Sequence, residues 1–276
     1  MRLVVQAVEV DTVGLTQVAR LVQASEIVQI TPHAFRLVGA QPRPELAARC
    51  AELGLDCSWV CGERRLTDFG LFVTDMDSTL INIECIDEIA DMQGLKAEVA
   101  AITEAAMQGE IDFRESLTRR VALLAGLPEA ALDEVYAQRL QLNPGAEALM
   151  RGLKRAGLRT MLVSGGFTFF TDRLKARLGF DHAYANELEV AEGRLTGRVR
   201  GEIVDGAAKA AHLVRVRDEL GLAPEQTIAA GDGANDIPML RAAGFGVAYH
   251  AKPVLREAAD ASLSHSGLDG ILNLFA

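Results

Sequence analysis

The stretch Phe69-Gly-Leu-Phe-Val-Thr-Asp-Met-Asp-Ser-Thr79 decides the fold of this chain. Its short apolar run, which ends in acidic residues, is typical of a strand covered on both faces in a parallel sheet. Because residues two apart on an extended chain point to the same side, Asp75 and Asp77 can reach one site at the carboxyl edge of that sheet, where α/β proteins bind ligands. Two carboxylates this close need a cation or a shared proton, and oxygen ligands favour Mg²⁺.

Three later apolar runs predict further strands of the same sheet, at 159–163, 227–230 and 246–249. The segment 83–142, between the first two strands, is far longer than one crossover helix needs, and it is rich in Ala, Glu and Leu without a convincing strand. It therefore predicts a helical cap inserted after the first strand. The residues Val190-Ala-Glu-Gly-Arg-Leu195 predict a hairpin that adds a small antiparallel element beside the sheet.

A second acidic motif, Gly231-Asp-Gly-Ala-Asn-Asp236, follows the strand predicted at 227–230. Its glycines allow close approach of the backbone to a ligand, and Asp232 and Asp236 add oxygen ligands for a metal. A purely structural turn explains this pattern less well. The motif therefore indicates a second contribution to the site at the carboxyl edge of the sheet.

Two weaker features could bind an anion. The residues Val163-Ser-Gly-Gly-Phe167 bring a hydroxyl and free backbone N–H groups to a helix N-terminus, which suits a phosphate, but the same pattern is common in ordinary loops. Lys209 lies among small residues at 205–211, where its charge could meet an anion, although a lone lysine in a helix is usually solvated. Both features gain weight only beside the acidic motifs.

These four motifs, in this order along the chain, resemble the haloacid dehalogenase-like (HAD) phosphohydrolases over residues 69–276. The resemblance implies an α/β fold with a doubly wound, Rossmann-like parallel sheet. It also implies that Asp75 is the nucleophile, that Asp77 is general acid and then base, and that Mg²⁺ is held by the carboxylates of Asp75 and Asp232 and the Asp77 carbonyl. The residues implied to hold the phosphoryl group, or in the last case to organise the metal site, are Ser164, Gly165, Lys209, Asn235 and Asp236.

Substrate selection is expected from the cap. Glu84 is the only acid in a mostly apolar segment at 79–86, and Arg120 lies near the apolar face of a helix predicted from Phe113. Taken alone, an acid at a helix N-terminus and an arginine that extends from the core edge have ordinary structural explanations. Neither residue is therefore assigned to a site by its position alone.

The segments 75–89 and 107–124, however, resemble the phosphoserine phosphatases. That resemblance implies that Glu84 takes the substrate's ammonium and Arg120 its carboxylate, while Met107 and Phe113 form an apolar wall that excludes water. The implied reaction is hydrolysis of O-phospho-L-serine, the last step of serine biosynthesis. A related phosphatase or phosphotransferase that acts on another small phosphomonoester is the alternative.

The first 68 residues lie outside this match. Their pattern predicts strands at 2–8, 26–30, 34–38 and 56–60 and helices at 13–24 and 43–53, which is the βαββαβ order of a ferredoxin-like unit. The order resembles the ACT domains, which sense small molecules. That resemblance implies either a regulatory role or a homodimer formed through this module.

Composition narrows the function classes. The chain has 276 residues, a formal charge of −10 and only 5% aromatic residues, which argues against a nucleic-acid surface. No apolar run approaches the length of a membrane helix, and the N-terminus lacks the apolar core of a signal peptide. Its 4 cysteines form no CxxC pair, so a reducing cytoplasm is the expected compartment.

Two other classes share part of the pattern. A phospho-aspartate receiver also gathers acids at strand ends, but receivers lack a large cap and the second aspartate of the DxDxT motif. A glycosidase also uses paired carboxylates, but those must straddle a sugar and need no phosphate cradle. The sequence therefore favours a phosphatase over both.

Overall fold

The computed structural model of the chain describes residues 1–107 and 110–276, without the side chain of Met107. The N-terminal region forms a four-stranded antiparallel sheet with the strand order β2-β3-β1-β4. Its elements follow the expected order βαββαβ, and they are β1 (Arg2–Gln6), α1 (Thr12–Leu21), β2 (Glu26–Thr31), β3 (Ala34–Val38), α2 (Leu46–Glu52) and β4 (Asp56–Val60). The two helices cover one face of this sheet, where Leu3 and Val5 pack with Leu15 and Val18.

The second sheet has seven strands and confirms the predicted α/β core. Its order is β11-β10-β9-β5-β6-β7-β8, and all pairs are parallel except β7 with β8. The strands are β5 (Leu71–Thr74), β6 (Arg159–Phe167), β7 (His182–Ala191), β8 (Arg194–Arg200), β9 (Thr227–Gly231), β10 (Phe245–Tyr249) and β11 (Ala261–Leu263). The hairpin predicted around 190–195 is present, but it is not a separate element, because β7 also pairs in parallel with β6.

Helices cover both faces of the large sheet, as its continuous apolar strands require. Leu153 and Phe170 pack on one face, and Leu213, Met239 and Leu255 pack on the other. The core helices are α7 (Ala146–Arg155), α8 (Thr168–Leu178), α9 (Gly206–Glu219), α10 (Ile237–Ala242), α11 (Pro253–Ala258) and α12 (Gly270–Leu274). In the part of the chain that the structure describes, no helix is long and apolar enough to span a bilayer.

The insertion between β5 and β6 is helical where it is described. It contains α3 (Cys85–Asp91), α4 (Lys96–Met107), α5 (Phe113–Ala122) and α6 (Ala130–Gln138). Its two connections to the core run side by side, since Ile81 and Leu142 form an antiparallel bridge. The backbone N–H of Asn82 donates to the carbonyl of Gln141 (3.0 Å), and the side-chain oxygen of Asn82 accepts from the Gln141 N–H (2.8 Å). The cap therefore rises from the carboxyl edge of the sheet on a paired stalk.

Candidate active site

Asp75 is the first residue after β5, and its side chain is almost completely buried at the carboxyl edge of the sheet. One carboxylate oxygen accepts from the backbone N–H of Met76 (2.7 Å), and the other lies 2.8 Å from Nζ of Lys209. Burial, together with the carboxylates of Asp236 and Asp232, raises the pKa of Asp75, and Lys209 opposes that rise. This carboxylate is therefore fixed in orientation and depends on nearby positive charge.

Three carboxylates meet at this edge. Oxygens of Asp75, Asp232 and Asp236 lie within 4.8 Å of one another. Burial and the neighbouring Asp236 carboxylate raise the pKa of Asp232 to about 6, so the cluster is under electrostatic strain that a cation would relieve. A set of oxygen ligands on buried acids is the chemistry that hard divalent cations prefer. The residues present therefore fit a divalent metal ion.

Hydrogen bonds from both acidic motifs hold the carboxylate oxygens of this cluster in place. The hydroxyl of Thr79 donates to the Asp232 carboxylate (3.1 Å). The backbone N–H groups of Asp232 and Gly233 donate to the Asp236 carboxylate, at 3.1 and 3.2 Å. Asp236 thus closes its own loop, and one of its oxygens remains beside Asp75 and Asp232.

Lys209 lies on α9 and is buried, which is unusual for a lysine. Its Nζ atom is 2.8 Å from both Asp75 and Asp236. Although burial disfavours its charge, these two carboxylates raise the pKa of the ammonium, which therefore stays protonated. The sequence predicts that Lys209 holds phosphoryl oxygens, but the structure places it behind the carboxylates and not among the residues that line the cavity.

Asp77 lies two residues after Asp75 on the same loop. Its side chain is not part of the three-carboxylate cluster, and one oxygen accepts from the backbone N–H of Cys85 (3.4 Å). Burial, and secondly the Glu84 carboxylate, raises the pKa of Asp77 to about 8. A carboxyl group that keeps its proton near neutral pH can act as a general acid.

The end of β6 closely approaches Asp77 and the cap. The backbone N–H of Gly166 donates to Oγ of Ser164 (2.8 Å), and a Cβ atom on Gly166 would lie 2.7 Å from Oδ2 of Asp77. A Cβ on Gly165 would lie 2.8 Å from the ring of Phe113 in the cap. Glycine at both positions therefore lets the cap and the nucleophile loop close over one small space.

A buried asparagine that was not predicted from the sequence fixes this turn. The side chain of Asn186 on β7 donates to the carbonyl of Gly165 (2.8 Å) and accepts from the backbone N–H of Val204 (2.8 Å). It links the end of β6 to the segment that enters α9. A polar residue inside a strand was the only available signal.

A cavity of about 700 Å³ opens between the cap and the sheet edge. From the core it is lined by the acids and by the β6 turn, and from the cap by Glu84, Phe113 and Arg120. The residues predicted from the sequence that line it are Asp75, Asp77, Glu84, Phe113, Arg120, Ser164, Gly165, Asp232 and Asn235. The side chain of Met107, predicted for the apolar wall, lies outside the described residues.

Glu84 and Arg120 face this cavity from α3 and α5. Glu84 occupies the N-cap position of α3 but does not cap the helix, since its carboxylate accepts instead from the hydroxyl of Ser78 (2.6 Å). Burial raises its pKa. Arg120 donates from Nε to the carbonyl of Ser116 (3.4 Å), and burial lowers its pKa. A carboxyl group, from Glu84, and a guanidinium, from Arg120, thus both line the cap side of the cavity.

A second asparagine anchors the nucleophile loop. Ser78 has a φ of 56°, which is rare for a residue other than glycine, so this turn requires external support. The side-chain amide of Asn143 donates to the carbonyls of Thr79 (2.8 Å) and Ile81 (3.0 Å). Asn143 directly follows Leu142, on the segment that returns from the cap to the core. Its hydrogen bonds therefore join that segment to the loop that contains Ser78 and Thr79.

Two further charged residues line the cavity without having been predicted: Asp87 on α3 and Lys252 before α11. The backbone N–H of Lys252 donates to the carbonyl of Asp232 (3.0 Å), and the positive charge of the Lys252 side chain opposes the rise that burial causes in the pKa of Glu84. Neither residue belongs to a motif. A charge on a loop or in a helical first turn is too common to indicate a site.

Comparisons with known proteins follow the same division of the chain. The model of the haloacid dehalogenase-like hydrolases matches residues 72–241, and a domain of unknown function matches residues 3–46. The phosphoserine phosphatase of Polaromonas sp. is 55% identical over 226 residues, which cover 80% of this chain and 96% of that protein. That of Archaeoglobus fulgidus is 46% identical over 235 residues, which cover 85% of this chain and 68% of that protein.

Solved structures show the same fold. A probable phosphoserine phosphatase from Vibrio cholerae, in unliganded form, matches with a TM-score of 0.88 and 36% identity, and covers 99% of this chain and 86% of that one. A substrate-bound phosphoserine phosphatase complex matches with a TM-score of 0.71 and 41% identity, over 75% of this chain and 99% of that one. This chain therefore belongs to the haloacid dehalogenase-like hydrolases and, within them, to the phosphoserine phosphatases.

Proposed function

We propose that this chain hydrolyses O-phospho-L-serine to L-serine and phosphate with Mg²⁺ as its metal ion. One observation carries the proposal: a single cavity brings a carboxylate cluster that fits a divalent cation together with Glu84 and Arg120 on the cap. A phosphate, an ammonium and a carboxylate in one small molecule each find a group of opposite charge there. The similar phosphoserine phosphatases support the same substrate.

In the first half of the reaction, a carboxylate oxygen of Asp75 attacks phosphorus. The bond from phosphorus to the serine oxygen breaks, and Asp77 transfers its proton to that oxygen, which leaves serine and a phosphorylated Asp75. The pKa of about 8 keeps Asp77 protonated for this step. Its position outside the carboxylate cluster leaves the proton free for the leaving group.

In the second half, water attacks the phosphorylated Asp75. Asp77, now a carboxylate, takes a proton from that water, and the bond between phosphorus and the Asp75 oxygen breaks to release phosphate. The charge of Lys209 stabilises the carboxylate of Asp75 as it is set free. Asp75 is therefore the nucleophile in the first half and the leaving group in the second, while Asp77 is first the acid and then the base.

Asp75 and Asp232, with the backbone carbonyl of Asp77, would hold Mg²⁺, and Asp236 would orient the cluster through its hydrogen bonds to Asp232 and Gly233. When bound, the ion would neutralise negative charge on the phosphoryl group. The hydroxyl of Ser164 and the N–H of Gly165 would hold phosphoryl oxygens, with Asn235 at the edge of the same pocket. Lys209 would act on them from behind the carboxylates.

Substrate choice rests on the cap. Glu84 would accept from the ammonium and Arg120 would donate to the carboxylate, while Phe113 closes over Gly165 and excludes water. We place Met107 on the same apolar wall as a proposal from the sequence.

Phosphate release tests this function directly. With Mg²⁺ present, phosphoserine should exceed other small phosphomonoesters, such as sugar phosphates, by at least tenfold in kcat/KM. Arg120→Ala should abolish that preference. A preference for sugar phosphates, or the same preference after Arg120→Ala, would instead identify a related phosphatase or phosphotransferase with another substrate.

We also propose that residues 1–68 form a separate ACT-like module of ferredoxin-like topology, and residues 69–276 the catalytic part with a cap at 83–142. The antiparallel order β2-β3-β1-β4 supports this division. A regulatory role predicts that serine inhibits the intact chain, and a dimerisation role predicts a homodimer by light scattering. If neither is observed, both roles are refuted.

The cytoplasm is the compartment we propose. The chain has only 4 cysteines among 276 residues and no CxxC pair, which is too few for a disulfide framework and suits a reducing compartment. Localisation of the tagged chain by fractionation checks it.

A further inference from the structure

We propose that Asp87 is a positioning residue that holds the guanidinium of Arg120 in place for the substrate's carboxylate. The inference rests on the proposed function and adds a specificity-determining residue to it. Glu84 and Arg120 come from different helices of the cap, so the spacing between the two subsites depends on what connects α3 to α5.

Asp87 lies in the first turn of α3, three residues after Glu84, so both acids lie on the same side of the helix. It lines the active-site cavity. Its Oδ1 atom is buried and has no hydrogen-bond partner among the described residues. A buried carboxylate oxygen without a partner is costly, so this atom requires a donor.

The neighbouring acid on α3 shows the contrast. Glu88 also lies in the first turn, but its carboxylate pairs with Arg139 at 3.2 Å, outside the cavity. The two consecutive acids therefore face different surroundings. Of these two acids, Asp87 lines the cavity and Glu88 does not, so Glu88 offers a matched control.

Arg120 is a donor on the same cavity: both side chains line it, although they form no ion pair in the described structure. Its only hydrogen bond to a described residue runs from Nε to the Ser116 carbonyl (3.4 Å), which leaves the terminal nitrogens for other partners. Burial lowers the pKa of Arg120, and among the carboxylates that oppose this effect Asp87 acts most strongly, ahead of Glu84 and Asp77. The charge of Asp87 therefore acts on the guanidinium across the cavity that both residues line.

An alternative role for Asp87, as a second acid for the ammonium, fits less well. Glu84 already presents a carboxylate held by Ser78 on the cavity side. The free oxygen of Asp87 is buried, so an incoming ammonium meets Glu84 first. A guanidinium has five donors in a rigid fork, so Arg120 can donate to Asp87 and to a substrate carboxylate at the same time.

The test uses Asp87→Asn with three phosphate esters. Phosphoserine has both polar groups, 3-phosphooxypropionate lacks the ammonium, and phosphoethanolamine lacks the carboxylate. If Asp87 positions Arg120, the substitution should raise KM about tenfold for the first two compounds, with kcat changed less than threefold. For phosphoethanolamine, measured as substrate or as competitive inhibitor, affinity should stay within twofold.

Two comparisons make the result specific. Glu88→Gln should leave all three values unchanged. Adding Asp87→Asn to Arg120→Ala should have no further effect, since a positioning residue acts only through the residue it holds. The ratio of affinities for phosphoserine and phosphoethanolamine is measured in one preparation, so partial misfolding of a variant does not alter it.

The outcomes separate cleanly. An equal loss for all three compounds, or a loss confined to the two that carry an ammonium, would overturn the positioning role. If the unmodified chain does not hydrolyse phosphoserine, the proposed function fails instead. A selective loss for the two carboxylate compounds supports both.

Discussion

At the scale of single residues, a substitution of Asp77 distinguishes proton transfer from metal binding. We expect Asp77→Asn to reduce turnover of phosphoserine by a factor of about 10² to 10⁴, because an amide can neither donate nor accept the proton. Mg²⁺ binding, followed by calorimetry, should change little. The side chain lies outside the cluster of Asp75, Asp232 and Asp236, and the backbone carbonyl is unaltered.

The matched control is Asp232→Asn, in which a carboxylate of the cluster is lost. This variant should weaken Mg²⁺ binding and lower activity together. Near-normal turnover in Asp77→Asn, or loss of Mg²⁺ by that variant, would contradict the assignment of Asp77 as general acid and base.

Glu84 predicts a pH dependence. Burial raises its pKa, with Asp87 adding to the rise and Arg120 and Lys252 opposing it. Below the raised pKa the carboxyl group is neutral and loses its attraction for the ammonium. The kcat/KM for phosphoserine, relative to that for 3-phosphooxypropionate, should therefore fall as the pH is lowered, and should begin to fall above the ordinary glutamate range.

The ratio of the two compounds removes the effects of groups that act on both, such as Asp232. In Glu84→Gln the ratio should not vary with pH. A ratio that is flat in the unmodified chain would mean that the ammonium is bound elsewhere.

The sequence could predict residues whose function follows from their own neighbours. Asp75 and Asp232 directly follow apolar strands, so their position at the sheet edge could be inferred without a structure. Asn143, Asn186 and Asp87 could not be predicted in this way. The two asparagines bind backbone groups of other elements, and the role proposed for Asp87 depends on Arg120 of another helix. No local pattern encodes such relations.

At the scale of elements, the paired stalk of the cap is the feature on which the site depends. We expect Asn143→Ala to lower the free energy of unfolding by about 1 to 3 kcal/mol, because carbonyls of the nucleophile loop lose their donor. Activity should fall as well, since that loop carries Thr79, which holds Asp232. Urea unfolding and phosphate release measure the two effects.

Gln141→Ala is the matched control on the same stalk, since the structure uses only the backbone of Gln141 there. It should leave stability and activity within error of the unmodified chain. If Asn143→Ala were equally silent, the stalk would not support the loop.

Element boundaries show what periodicity can and cannot predict. The strands predicted at 159–163 and 227–230 correspond to β6 and β9, because continuous apolar runs are specific to buried parallel strands. The hairpin at 190–195 is present, but the parallel pairing of its first strand with β6 was not predicted. Residues His182–Ala191 alternate in burial over part of their length, so their parallel pairing with β6 leaves no sign in the sequence.

At the scale of the whole molecule, the acidic character of the chain extends into the site. The described residues that line the cavity include five acids and two cations, which are Asp75, Asp77, Glu84, Asp87 and Asp232, and Arg120 and Lys252. The formal charge of −10 and the acidic lining both oppose the entry of an anion. A divalent cation on the carboxylate cluster would supply positive charge that Lys209, Arg120 and Lys252 do not provide alone.

The N-terminal sheet is fastened to the catalytic part through its open face. Val4 and Val60 belong to the same apolar cluster as Phe69 and Phe275 of the large domain. At the edge of this contact, the buried carboxylate of Asp56 accepts from the backbone N–H groups beyond β11, at 264 (2.7 Å) and 265 (3.0 Å). We therefore expect the two parts to unfold as one cooperative unit.

Asp56→Ala tests whether the two parts unfold cooperatively, because it leaves two backbone N–H donors at their contact without an acceptor. We expect the free energy of unfolding to fall by about 2 to 4 kcal/mol, which lowers Tm by roughly 5 to 10 °C, with kcat and KM unchanged at 25 °C. Asp11→Ala, which removes only the cap of α1 inside the module, should cost about 1 kcal/mol. In both variants circular dichroism and loss of activity should report the same single transition, whereas a module that melts while activity persists would show that the two parts are independent.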